Sequence, residues 1–150
     1  MLLAYLEKRF GIAGTLFRQY LFFKRSKGWR ILRASEHLEK GVCRLKVSVV
    51  GIPAFHRVGA FIKPSTRFIQ IFGVYASRAR LELTTEELQR LLSGREIESN
   101  LPDEDGYVVL FHQGSPLGLG LLLKGRLRSQ LPKDMRTSPR IHQKGLLSNK

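Results

Sequence analysis

Four histidines, one cysteine and a few carboxylates are the side chains whose types could do acid–base, nucleophilic or metal chemistry in this chain. His37, His56, His112 and His142 show no paired spacing. With a single thiol they do not make a zinc set, which needs several N or S ligands at short intervals. Cys43 stands between Val42 and Arg44. An adjacent cation favours the reactive thiolate, whereas a lone cysteine at a strand start is otherwise a small buried hydrophobe. Glu86 and Glu87 suit the positive end of a helix, and Asp103 to Asp105 a solvated turn, so no pair of acids is set for general acid–base work. Gly118-Leu-Gly120 runs on into Leu121 and Leu122, without the third glycine of a dinucleotide loop, and no phosphate-binding Gly-x4-Gly-Lys run exists. These residues give no catalytic assignment, no metal and no cofactor.

Positive charge is abundant instead. Lys and Arg number 26 against 12 Asp and Glu, for a formal net charge of +14, and the sequence pI is about 10.6. Such an excess repels itself unless an anionic partner compensates it, and nucleic acid is the leading partner. Residues 51–100 hold seven bases against five acids, so most of the excess lies before residue 50 and after residue 123. Phosphate recognition asks for Lys and Arg on a rigid frame, backbone that can come close, and often an aromatic on which an unpaired base stacks. Two segments supply these ingredients. Lys24, Arg25, Lys27, Arg30 and Arg33 surround Trp29, which reads more readily as core than as a stacking platform. Gly118 and Gly120 lead into Lys124, Arg126, Arg128, Lys133 and Arg136, where the glycines would let a strand approach the RNA backbone.

The elements that must position these groups read as short strands and helices. Residues 1–21 are expected to be helical, interrupted at Gly11 and Gly14, and 20–34 to form two strands around Ser26-Lys27-Gly28. A strand is expected over 42–50, a second extended piece over 54–62, and Ser65 as an N-cap before a helix from Phe68 to Ala76, although Phe68-Ile-Gln-Ile-Phe72 also suits a buried strand. Thr84-Thr-Glu-Glu87 is a capping box, and Gly94 ends its helix. Tyr107–Phe111 and Leu117–Leu123 read as paired strands around Gly114-Ser-Pro116. This pattern, with 43% apolar residues in 150, indicates one small mixed α+β domain built on a curled sheet or open barrel. The expected division is a helical and hairpin extension over 1–40, a domain over 41–137 and a basic tail over 138–150. No apolar run reaches the roughly 18 residues of a spanning helix, and Glu7, Lys8 and Arg9 break the apolar start, so the cytoplasm is the expected compartment.

Gly106-Tyr-Val-Val-Leu-Phe-His-Gln-Gly-Ser-Pro-Leu-Gly-Leu-Gly, continuing through Gly125-Arg-Leu-Arg-Ser-Gln-Leu-Pro-Lys-Asp-Met-Arg136, resembles the C-terminal PUA-like RNA-binding domain of Sun-type RNA cytosine-5 methyltransferases. Gly51-Ile-Pro, Phe61-Ile-Lys-Pro-Ser65 and the Leu83-Thr-Thr-Glu-Glu-Leu helix fit the same pattern, and Leu6-Glu-Lys-Arg-Phe-Gly-Ile12 is similar to the stretch before this module. The resemblance implies a PUA-like mixed barrel that binds structured ribosomal or transfer RNA without doing chemistry, here standing alone without the catalytic domain. The cysteine contexts of that domain, Pro-Cys and Thr-Cys-Ser, are absent, so Cys43 inherits no role. Where the family pattern has Lys-Asn before Leu-Pro-Lys, this chain has Arg128-Ser129-Gln130, and a serine cannot reproduce the paired donor and acceptor of an amide.

The expected function is therefore an RNA-binding accessory in RNA modification or ribosome assembly. Its expected site comprises Lys24, Arg25, Lys27, Arg30, Gly118, Gly120, Lys124, Arg126, Arg128, Lys133 and Arg136. The alternative is an RNA-targeting subunit that docks on a separate methyltransferase through Leu2, Phe10 and Phe17. Membrane binding is disfavoured because the charge lies on strands and turns, not along one amphipathic helix.

Overall fold

Phenylalanine decides where the chain folds over on itself. In the computed structural model, which describes residues 1–34 and 51–137, Phe17, Phe55, Phe68 and Phe72 are buried together. Ring centroids lie 4.9 Å apart for Phe68 and Phe72, 5.0 Å for Phe55 and Phe68, and 5.1 Å for Phe17 and Phe72. Each such pair adds about 0.5 to 1.5 kcal/mol beyond the area it buries. The cluster ties the N-terminal third of the chain to the centre.

Four strands form an antiparallel meander in the order β1 (Tyr20–Arg25), β2 (Gly28–Arg33), β3 (Ile52–Val58) and β4 (Phe61–Pro64). A five-stranded sheet has the order β5 (Arg80–Glu82), β7 (Gly106–His112), β8 (Ser115–Leu123), β9 (Arg126–Ser129) and β6 (Ile97–Glu98). Among the described strands only β5 and β7 run parallel. With three short α-helices among the described residues this is the expected mixed α+β class, consistent with a PUA-like fold. The β2–β3 pairing crosses the boundary expected at 40/41. That boundary, the strand expected over 42–50, Cys43, His37, His142 and the tail 138–150 lie outside the described residues.

Strand β7 is buried on both faces, which is why its sequence is nearly continuous apolar rather than alternating. Val109 and Phe111 face the phenylalanine core, shared with Leu6 and Phe10 of α1 (Leu2–Phe10) and with α2 (Thr66–Phe72). Val108 and Leu110 face a second core with Leu122, Leu127 and the Leu88, Leu91 and Leu92 stripe of α3 (Thr85–Leu92). Burying each such side chain contributes about 1.5 to 3 kcal/mol.

The local signals behave as their chemistry requires. The Ser65 hydroxyl accepts from the Phe68 amide at 3.0 Å and starts α2. Thr84 Oγ1 accepts from the Glu87 amide at 3.2 Å while the Glu87 carboxylate accepts from the Thr84 amide at 2.9 Å. The helix expected over 1–21 is shorter. Gly11 takes a left-handed conformation with φ 64 that closes α1, a single 3₁₀ turn covers Gly14–Phe17, and Tyr20 already opens β1. The reversal before β8 is made by Gln113 and Gly114, and Ser115 and Pro116 already pair with β7. Arg9 then fixes α1 to the second sheet, donating from Nε to the Tyr107 carbonyl and from Nη1 to the Glu104 carbonyl, each at 2.8 Å.

Candidate nucleic-acid interface

The tip of the β1–β2 hairpin carries the first cluster. Register pairs Arg25 with Gly28 and Lys24 with Trp29, leaving Ser26 and Lys27 as the turn, and Lys24, Arg25 and Lys27 are exposed. On its other side β2 pairs Gly28 with His56 and Trp29 with Phe55. Any side chain at Gly28 would run into the Phe55 carbonyl oxygen, so the close approach of β2 and β3 here depends on glycine. Trp29 is half-buried, packed inward on the phenylalanine core and open outward. The Arg57 guanidinium lies 5.9 Å from its ring centroid, at the outer limit of a cation–π contact. Arg30 donates to the Gly51 carbonyl and so braces the start of β3.

Two hollows open beside Trp29, one of about 200 Å³ reaching Lys27, Phe55 and His56, the other of about 180 Å³ reaching Lys24 and Arg57. Neither is lined by an acid among the described residues. Arg57 and His56 are not among the site residues expected from the sequence, in which His56 figures only as a histidine without metal spacing. Their signal was the extended piece at 54–62, but only the β2–β3 register, with its irregularity between Trp29 and Arg30, brings them to this tip.

The second cluster sits on the other sheet and is electrostatically different. Arg126 and Arg128, two apart on β9 and both well exposed, share Glu96: Arg126 Nη1 is 3.6 Å from one carboxylate oxygen, and Arg128 Nε donates to the other. A hollow of about 460 Å³ beside them is lined by Glu87, Glu96 and Glu98 with Arg90 and Arg126. The run of bases from residue 124 is free of acids along the sequence as far as Asp134 but not in space. Lys124 turns its backbone amide to Asp105 at 2.8 Å, and Lys133 is exposed at the start of a 3₁₀ turn over Lys133–Thr137. The side chain of Arg136 lies outside the described residues.

Gly118 and Gly120 require a correction. Both are buried. A Cβ at Gly118 would lie 2.7 Å from Leu131 Cδ2, and one at Gly120 would lie 2.9 Å from Leu127 Cδ1 and 3.2 Å from the Arg128 carbonyl oxygen. The protein's own leucines fill the space, so packing, not approach to a phosphate chain, explains the glycines.

The titratable groups expected to be inert divide by environment. His56 is exposed, whereas His112 is buried, with Nδ1 3.0 Å from the Leu83 carbonyl and Nε2 without a hydrogen-bond partner. Through this contact His112 ties the end of β7 to the residue that precedes the Thr84 cap of α3. Burial lowers the Lys63 ammonium's pKa from its ordinary value; its Nζ donates to Gln130 Oε1 at 3.0 Å and lies 5.7 Å from the Tyr107 ring centroid. Among the described residues there is no group of three or more His, Cys, Asp or Glu able to hold a metal ion. No helix among them is long and apolar enough to cross a membrane.

Comparison with known proteins adds a family to this geometry. Residues 78–137 match the family described as the methyltransferase RsmF PUA domain. A curated relative, ribosomal RNA small subunit methyltransferase F of Psychromonas ingrahamii, is 29% identical over 96 residues, 61% of this chain and 20% of that protein. The chain thus spans about a fifth of the length of that relative. The matched segment begins just before β5 and contains the whole five-stranded sheet with α3 and the Gly118 to Gly125 region on which the resemblance rested. Residues 78–137 are therefore similar to the PUA domain of the RsmF methyltransferases, as the motifs between Gly106 and Arg136 imply.

Proposed function

We propose that this chain binds structured ribosomal or transfer RNA as an accessory in RNA modification or ribosome assembly, acting by recognition and without a cofactor or metal of its own. The observation that carries the reading is the cationic tip of Lys24, Lys27 and Arg57, whose two hollows are lined by no acid among the described residues, joined to a segment matching the PUA domain of a ribosomal RNA methyltransferase family. Lys124, Arg126, Arg128 and Lys133 form a second, weaker contact region. Glu96 already neutralises part of the charge of Arg126 and Arg128, so phosphate gains less from them than from the hairpin tip.

Changing Lys24, Arg25 and Lys27 together to Ala tests this. Each lost phosphate contact should flatten the log–log salt dependence of RNA binding by roughly 0.7 to 0.9, and affinity should fall for all RNAs alike. The pair Arg126→Ala and Arg128→Ala should change the slope less. An unchanged slope in the triple variant would remove the hairpin tip from the interface.

A second reading, docking on a separate RNA methyltransferase, has its own observation. Phe10 and Phe17 are buried and unavailable to a partner. An apolar groove of about 640 Å³ instead lies between α1, the β3–β4 turn and the ends of β7 and β8, with Phe61 72% exposed at its rim. Phe61→Asp should abolish co-elution with such an enzyme and leave RNA affinity unchanged.

A further inference from the structure

An aromatic ring with a core on one side and water on the other offers its open face to a partner, and covering that face is favourable. Trp29 is held in that state at the hairpin tip. Its indole packs on the phenylalanine core from within, while the hollows beside it are bounded by Lys24, Lys27, His56 and Arg57. The hollows are too small for a whole cofactor, since pockets for drug-sized ligands run from about 300 to 1,000 Å³. The larger, about 200 Å³, equals roughly seven waters at about 30 Å³ each, the scale of one flat heterocycle. An apolar plug from a protein would cover the ring but bring no anion to Lys24, Lys27 and Arg57. A free anion would satisfy the cations and leave the ring bare.

A nucleobase attached to its phosphates does both. We propose that the hollow beside Trp29 seats one unpaired nucleobase of the bound RNA, stacked against the indole, with the adjoining phosphates held by Lys24, Lys27 and Arg57. This rests on the RNA-binding reading and adds to it a preference for RNA with an unpaired nucleotide. Stacking on an aromatic side chain is sequence-tolerant, because every base has a π face, so the site selects an unpaired base without selecting its identity. His56, exposed at the rim of the same hollow, is within the set of groups that meet the edge of the seated base.

Trp29 is the only tryptophan in the chain, so its fluorescence reports on this site alone. The full chain is titrated with two end-labelled RNAs of equal length, a hairpin with an unpaired loop and a fully paired duplex. Label anisotropy measures binding, and tryptophan emission measures stacking. The looped RNA should quench Trp29 and the duplex should not. Trp29→Leu, which keeps an apolar side chain against the core, should weaken the looped RNA by roughly 5- to 150-fold and leave duplex affinity unchanged. Should that variant fail to fold by its thermal melt, quenching in the unaltered protein decides the matter. If the looped RNA binds by anisotropy while Trp29 emission stays constant, the stacking site is refuted and RNA binding stands. If neither RNA changes the anisotropy, the RNA-binding reading itself is overturned.

Discussion

Replacing Gly120 by Ala separates the two roles a glycine-bearing strand can have. The added methyl would lie 2.9 Å from Leu127 Cδ1, 3.2 Å from Leu110 Cδ2 and 3.2 Å from the Arg128 carbonyl oxygen. The leucine methyls can yield by rotation, but the carbonyl is fixed by the β8–β9 ladder, in which Gly120 pairs with Ser129. Overpacking of this kind costs about 1 to 3 kcal/mol, and for a chain of this length that lowers Tm by roughly 3 to 10 °C. Leu127 is fully buried, so Leu127→Ala alone should cost about 2 to 5 kcal/mol through the cavity it leaves. Combined, the two changes should cost less than their sum, by about 0.5 to 3 kcal/mol, because the new methyl occupies part of the space the leucine vacates. Thermal melts and urea titrations of the four proteins measure this cycle. RNA affinity of Gly120→Ala, taken well below its Tm, should equal that of the unaltered chain. A variant that melts normally but binds RNA tenfold more weakly would refute the packing account and restore Gly120 to the interface.

Two further outcomes follow from the electrostatics. Glu96→Gln removes the anion shared by Arg126 and Arg128, so RNA affinity should rise several-fold at low salt and the salt dependence should steepen, as filter binding would detect; no change would exclude the β9 face from RNA contact. Burial pushes the Tyr5 phenol up to about 12, against an opposing pull from Arg9, whereas in the unfolded chain it ionises near its ordinary value of 10.0. Between those values the folded chain binds more protons, so stability present below pH 10 is lost as pH rises toward about 12. Tyr5→Phe should flatten that decline in alkaline unfolding titrations, leaving a smaller slope from Tyr107, whose phenol burial raises in the same direction.

The legible part of the fold is the part whose causes are close in sequence. Ser65 and Thr84 reach amides three residues away, and those bonds form wherever the helix forms. The alternation of Lys24, Arg25 and Lys27 around a two-residue turn likewise announces a cationic hairpin tip. Residues 1–21 were harder, since an apolar spacing that fits a helix does not reveal that Gly11 closes it and that Tyr20 pairs with Arg33. The same spacing suggests Phe10 and Phe17 as partner contacts, and only the packing, Phe17 against Phe68 and Phe72 and Phe10 against Tyr5 in the same buried cluster, shows them to be core.

By itself the sequence determined the net charge, the caps and turns, the mixed α+β class and the PUA-type motif, because each depends on composition or on neighbours a few residues apart. Tertiary structure decided which of the charges are left to attract a partner. Glu96 meets Arg128 across 32 residues and dilutes the cluster that looked stronger, while Arg57 joins Trp29 and the hairpin tip through the β2–β3 register. Coulomb interactions depend on distance in space, and a linear count of bases and acids does not contain that distance.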